Sequence, residues 1–245
     1  DCTLVRSPEG RTILLDAGSA QTGASVVDAL RRRNVRAIDL LILTSPDDAS
    51  IGGVPTLLDS GIPVTQVWDN PVAEAGDARR SALEAIRRRH IPSSTANDGD
   101  VIQVGEMLFV SAIWPPETGA PSRRDPLICR INYGATAFLF EGSATAEAER
   151  DLVSQADRQI ECTEPCTDMI LQAAARAEDT PSPEMLRRAT PAVTVLSCGP
   201  GDPPTASTLH RLQAAGTALW RTDTQGTVTI TANGRVSPLV TAAHL

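Results

Sequence analysis

Apolar residues recur along this chain in short runs whose spacing switches between a period of two and a period near 3.6, with polar, Gly- and Pro-marked breaks between them. Residues 3–5 and 12–15 predict a hairpin with Pro8-Glu9-Gly10 at its turn. Residues 26–33 are a short amphipathic helix, 38–44 a buried strand, and 51–58 a second helix opened by a polar loop. A strand at 64–68 and a helix at 78–89, with Leu83 and Ile86 on one face, come next. Strands then follow one another at 101–104, 107–113, 129–133 and 137–141, with Tyr133-Gly134 turning the chain between the last two. The second half alternates again: helix 145–156, strand 169–171, helix 183–189, strand 192–197, helix 206–215, and strands 218–221 and 227–231. Helices and strands mixed through both halves predict sheets covered by helices, an α/β fold. No short-period repeat is present, which excludes solenoids and propellers.

Composition bounds this picture. The chain has 245 residues, 41% hydrophobic, enough for a buried core, and with only 3% aromatics that core must be built from Leu, Ile, Val and Ala. The longest apolar stretches, 40–43 and 137–140, are strand length, far below the roughly 20 residues of a membrane-spanning helix. No basic segment followed by an apolar one opens the numbered sequence. All 22 basic residues are arginine; against 30 acidic ones they leave a net charge of −8, which repels a polyanion, so bulk charge does not favour nucleic acid as a partner. The arginines cluster at 31–33, at 87–89, at Arg123 with Arg124, and at Arg187 with Arg188. Three of these clusters lie on or at the end of predicted helices, where the helix dipole favours a cation.

Five cysteines are present: Cys2, Cys129, Cys162, Cys166 and Cys198. Cys162 and Cys166, in Glu-Cys-Thr-Glu-Pro-Cys-Thr-Asp, are close enough to bridge and have no second Cys or His pair nearby to complete a zinc site. They read as a local disulfide, which implies an oxidising compartment, periplasm or cell exterior. Cys129 and Cys198 fall in strand-like runs, where a free thiol acts as a small hydrophobe.

The loop Thr44-Ser45-Pro46-Asp47-Asp48-Ala49-Ser50-Ile51-Gly52-Gly53, between a buried strand and a helix, resembles the metal-binding loop of the metallo-β-lactamase fold. It is most similar to the version in ComEC-type competence proteins, where Thr-His-x-Asp-x-Asp-His-Ile-Gly-Gly follows the same strand. Other stretches agree in order and spacing. Asp1 with residues 3–18 resembles the family's Gly-Asp opening and Leu-Ile-Asp-x-Gly close, and residues 34–43 resemble its Gly-Ile-x-x-Ile-Asp-x-Leu-x-Leu run. Residues 125–142 resemble the Asn-x-x-Ser-Leu-Val strand that leads to Leu-Leu-x-Gly-Asp. Arg221-Thr222-Asp223 with Gly226, and the Asn233-Gly234 turn, resemble the closing Arg-Thr-Asp-x-x-Gly and the turn after it. The resemblance spans nearly the whole chain and implies an αββα four-layer sandwich as a single domain over residues 1–245. Asp1 falls in mid-motif, so the family's first strand is expected to precede the numbered sequence.

The family's chemistry needs histidine nitrogens and carboxylates around one or two cations that activate a water. Under the resemblance, Ser45 stands at the first loop histidine, Ala49 at the metal-binding aspartate and Ser50 at the last histidine, leaving Asp47 alone. Ala174 and Ala175 replace the later His-His pair, and Ser143 replaces the bridging aspartate. The remaining histidines, His90, His210 and His244, fall in no motif loop. The expectation is a non-catalytic domain without catalytic residues, metal or other cofactor, although the family would carry zinc. It would act as a structural or protein-binding module of an extracytoplasmic, membrane-associated assembly. The alternative is a ComEC-like metal-dependent hydrolase or nuclease with a relocated site, or a DNA-binding domain of an uptake system using the arginine clusters.

Overall fold

The computed structural model describes residues 1–71, 76–115, 126–155, 160, 168–174, 179–199, 201, 203–235 and 238–243, in two compact units. The first unit, Asp1–Asn97 with Pro116–Leu127, is built on β1 (Thr3–Arg6), β2 (Thr12–Leu15), β3 (Ile38–Leu43), β4 (Val64–Asp69) and β5 (Ser93–Thr95), hydrogen-bonded in that order. β1 is antiparallel to β2 across the turn at Ser7–Gly10, where the Gly10 amide donates to the Ser7 carbonyl at 3.0 Å. β2 to β5 are parallel, so each connection must cross over, and the crossovers are helical. They are α1 (Gly23–Arg32), the pair α2 (Asp48–Ile51) and α3 (Val54–Asp59), and α4 (Asp77–Arg88). Val27, Leu30, Leu57, Leu58, Ala82, Ala85 and Ile86 from the helices pack on Leu14, Leu41, Leu43 and Val67 of the strands. In the middle strand Leu40 to Leu43 are all fully buried, which is why β3 reads as an unbroken apolar run.

The second unit, Asp98–Pro115 with Ile128–Leu245, contains a seven-stranded sheet. Its strands are β6 (Val101–Gln103), β7 (Leu108–Trp114), β8 (Ile128–Tyr133), β9 (Thr136–Gly142), β10 (Asp168–Ala174), β11 (Val193–Ser197) and β12 (Ala218–Arg221), and the spatial order follows the sequence. β6 to β9 are antiparallel neighbours, with short turns between β6 and β7 and between β8 and β9; β9 to β12 are parallel. Helices α5 (Ala146–Ser154), α6 (Pro183–Ala189) and α7 (Ala206–Ala215) bring Ala148, Leu152, Met185, Leu186 and Leu212 onto Ala137, Leu139, Met169, Leu171 and Leu196 of the sheet. Each is capped by a hydroxyl: Thr145, Ser182 and Thr205 accept from the amides of Ala148, Met185 and Thr208, all at 3.1 Å. A short helix α8 (Thr222–Gln225) leads to the hairpin of β13 (Thr227–Thr231) and β14 (Leu239–Ala243). Val228, Ile230 and Val240 of that hairpin cover Ile170, Val193 and Val195.

The predicted elements recur with boundaries shifted by a few residues, and each difference has a physical cause. The helix expected at 51–58 is two short helices, broken at Gly52-Gly53, with Pro55 in the first turn of α3. A Cβ on Gly53 would lie 2.2 Å from the Ala17 carbonyl oxygen and 3.0 Å from the Gly23 Cα, so the chain passes there only without a side chain. β5 is an exposed Ser-Ser-Thr edge strand with no apolar signature. β10 extends past its apolar part to Ala174 because β9 and β11 pair with it on both sides. Gly53→Ala is expected to cost about 1–3 kcal/mol, as overpacking does. Gly76→Ala, with open space around the new methyl, should stay within about 1 kcal/mol. Urea unfolding followed at Trp68, the only tryptophan of the first unit, separates the two.

Candidate functional site

Parallel strands deliver their carboxyl ends to one edge of a sheet, and ligand sites in α/β sheets form there. In the first unit that edge holds Asp16 after β2, the loop from Thr44 to Asp47 after β3, Asp69-Asn70 at the end of β4, and Ala96 after β5. Asp16 is buried in the left-handed region, φ 61°, a conformation that Asp tolerates better than most residues. Its carboxylate accepts from the Thr44 amide at 2.9 Å and from the Thr44 hydroxyl at 2.5 Å. Burial pushes the Asp16 carboxyl up to about 6; the hydrogen bonds from Thr44 and from the Ser50 hydroxyl pull the other way. The Thr44 carbonyl accepts from the Asn70 side-chain amide at 2.9 Å and from the Leu127 amide at 2.7 Å. Thr44 is therefore bonded through its amide, hydroxyl and carbonyl at once.

Beyond Thr44 the loop closes on itself. Ser45 is buried and donates its hydroxyl to Asp47 at 3.0 Å. Ser50 is also buried, and its carbonyl accepts from the Ala17 amide at 2.8 Å. Ala49 is half-buried, while Asp47 and Asp48 are exposed, and Asp48 accepts from the Ala20 amide at 3.3 Å. At the end of β4, Asp69 pairs with Arg79 of α4 at 2.6 Å, both buried, and Arg79 also donates to the Asn70 carbonyl at 2.7 Å. Burial pushes the Asp69 carboxyl up against the pull of that guanidinium.

In the second unit the carboxyl edge carries Ser143, half-buried just after β9, and Ala174, a buried methyl at the end of β10. Cys198, after β11, donates its amide to the Thr222 hydroxyl at 2.8 Å, and that hydroxyl donates back to the Cys198 carbonyl at 3.1 Å. Arg221 grips Asp223 with two hydrogen bonds, 3.1 and 2.6 Å. Burial, then Asp223, pushes the Cys198 thiol up to about 11, far from the thiolate that a nucleophile needs. The Arg-Thr-Asp sequence thus ties the ends of β11 and β12 together.

Ala175, Cys162, Cys166 and His244, and the pair Arg123 and Arg124, lie outside the described residues. The other two arginine groups of the first unit end α1 and α4. A crossover helix runs antiparallel to its strands, so these arginines sit at the opposite edge of the sheet from Thr44–Asp47; there Arg31 donates to the Ser60 carbonyl and Arg89 pairs with Asp59. The residues that organise the candidate edge, Asn70 and the Asp69–Arg79 pair, carry no motif. Their one sequence signal is a pair of polar side chains directly after the apolar Val67-Trp68.

The zinc that the fold resemblance implies does not fit these donors. Ser45 and Ser50 offer hydroxyls already engaged with neighbours, Ala49 and Ala174 offer methyls, and Ser143 offers a hydroxyl where the resemblance expects a carboxylate. Among the described residues no three His, Cys, Asp or Glu side chains come together as a metal site.

No family profile and no curated protein matches the sequence. Solved structures do match. A mutant of the CmlA β-hydroxylase is 14% identical, with a TM-score of 0.60 over 90% of this chain and 50% of that one. Zinc-bound PqqB from Methylobacterium extorquens is 12% identical, with a TM-score of 0.55 over 89% of this chain and 84% of that one. The chain spans half the length of the hydroxylase. The protein has the mixed α/β metallo-β-lactamase fold.

Thr44→Val keeps the shape of the loop anchor but removes the hydroxyl from a buried carboxylate, and is expected to cost about 1–3 kcal/mol. Urea unfolding at pH 7, where Asp16 is ionised, measures the loss.

Proposed function

We propose that the protein is a non-catalytic domain of the metallo-β-lactamase fold, akin to that of ComEC-type competence proteins, serving as a structural or protein-binding module. The observation that carries this reading is the loop after β3. Thr44 is bonded by Asp16, Asn70 and Leu127, and Ser45, Ala49 and Ser50 fill the positions where the family places ligands. Hydrolysis on this fold runs through a metal-activated water, and neither hydroxyls paired within the loop nor methyl groups can hold one. The arginines at the ends of α1 and α4 lie away from this edge, which speaks against a nucleic-acid channel there. The net charge of −8 argues the same way.

The module reading places the domain outside the cytoplasm, as one unit of a membrane-associated assembly whose partner is a protein. That placement rests on pairing of Cys162 with Cys166. Three free thiols out of five cysteines are expected when the protein, purified from an oxidising compartment without reductant, is titrated in denaturant. Five free thiols would remove the ground for it.

The catalytic question is decided by elemental mass spectrometry on chelator-free protein, run beside nuclease and phosphodiesterase assays in added zinc and manganese. The expected result is well under one metal per chain and no turnover. One or more tightly held metals per chain, with turnover abolished by Asp47→Ala, would establish a rebuilt hydrolytic site instead.

A further inference from the structure

Two glutamates of the second unit lie where charge is costly. Glu141 ends the inward-facing series Ala137, Leu139, Glu141 on β9, and Glu149 is on α5; both have no exposed surface. Around them is the apolar cluster of Ala144, Ala148, Leu152, Met185, Leu186 and Leu212. Oε2 of Glu149 accepts from the Ser182 amide at 2.7 Å, which ties α5 to the start of α6. The other three carboxylate oxygens, Oε1 of Glu149 and both of Glu141, have no hydrogen-bond partner among the described residues. An isolated ionised carboxylate cannot persist in such a place; the group takes up a proton.

The charged groups that reach this pair among the described residues are few. From α7, Arg211 favours the charged form of Glu149; it donates to the carbonyls of Pro181 and Thr180 at 3.1 and 3.4 Å. From α6, Glu184 opposes it weakly from the surface. Glu147, Arg150 and Asp151 of α5, and Arg187 of α6, are exposed, and Arg188 of α6 donates to the Val153 carbonyl. On the same face of the sheet, Arg130 of β8 bonds Asn132 at 2.8 Å, and β10 offers the apolar Met169, Leu171 and Ala173. Glu141 thus has Glu149 as its charged neighbour, and the two repel when both are ionised.

We propose that Glu141 and Glu149 hold a proton between them in the core of the second unit, and that its release as the solution turns alkaline loosens α5 and α6 from β9. The electrostatics agree. Burial, then Glu149, raises the Glu141 carboxyl well above the ordinary carboxylate range, and burial lifts Glu149 to about 7. Both shifts are upward, so the folded unit binds more protons than the unfolded chain above the ordinary glutamate range. Stability is then fully present in mild acid and falls as pH rises through the raised values, by up to about tenfold in the opening constant per pH unit for one proton.

Hydrogen exchange of the full chain between pH 6.5 and 8.5, corrected for intrinsic exchange, tests this. The window lies above the value of Asp16, so the first unit serves as an internal reference. Protection in α5 and β9 is expected to fall at least tenfold across the window, while α1 and α4 change less than threefold. Glu141→Gln, which cannot ionise, should abolish the difference. Should that variant fail to fold, Glu149→Gln keeps an acceptor for the Ser182 amide and should flatten the same slope. A flat profile in the unaltered protein overturns the proposal, as does equal loss in both units or an unchanged slope in a folded glutamine variant.

Discussion

The carboxylate of Asp16 is the group on which the carboxyl edge of the first sheet depends. Parallel pairing brings the ends of β2, β3 and β4 to one line, but it does not determine the path of the chain beyond them. Asp16, turned into the left-handed region, accepts from both the amide and the hydroxyl of Thr44, and so binds the exit of β3 to the exit of β2. Asn70 takes the Thr44 carbonyl and extends the tie to β4. With Thr44 saturated, the next residues have no freedom to swing outward: Ser45 and Ser50 are buried, and the short α2 starts at Asp48. A role in chemistry is not needed to explain why an ionisable group sits there, since its donors account for it.

The frame of this edge does not depend on metal ligands. The frame is made of backbone contacts. The Gly53 amide donates to the Gly18 carbonyl at 2.8 Å, and the missing Cβ of Gly53 allows contact with Ala17. In the second unit, Gly134 and Gly234 meet so closely that a Cβ on either would lie 2.9 Å from a carbonyl oxygen. None of these contacts involves a ligand. Imidazoles packed into the same loop without a metal would be buried polar groups lacking partners, at a cost of kilocalories each. Serine hydroxyls that find Asp47 and Asp16, and a methyl that needs no partner, fill the space without that cost.

What the sequence made legible follows the same division. Glycines and strand-end aspartates are specific because their backbone demands are specific, and they carried the resemblance from Asp16-Ala17-Gly18 to Asn233-Gly234. Apolar periodicity located the buried strands and helices. It could not mark β5, whose residues are polar and exposed at an edge, nor the break inside the helix after Ile51, which depends on how close Ala17 comes. The Asp69–Arg79 pair escaped because its partners are ten residues apart in unrelated elements and are joined only by the crossover. Glu141 stands at the unconstrained position of the family's Leu-x-Gly-Asp, so no motif marks it, and its burial depends on the alternation of β9 and on α5 lying over it.

The two units answer the same problem, an acid in a dry place, in opposite ways. Asp16 receives donors from Thr44 and Ser50, so its raised value of about 6 still leaves it ionised near neutrality, with the charge distributed over hydrogen bonds. Among the described residues Glu141 receives none, and Glu149 only the amide and hydroxyl of Ser182, so in the second unit the missing donor has to be the proton itself. A glutamine at either position would supply an amide donor and remove the charge, and an apolar residue of similar volume would fill the cluster around Leu152 and Leu212 more cheaply. That an acid occupies both positions, within electrostatic reach of each other and out of water, makes protonation part of how this layer is held together.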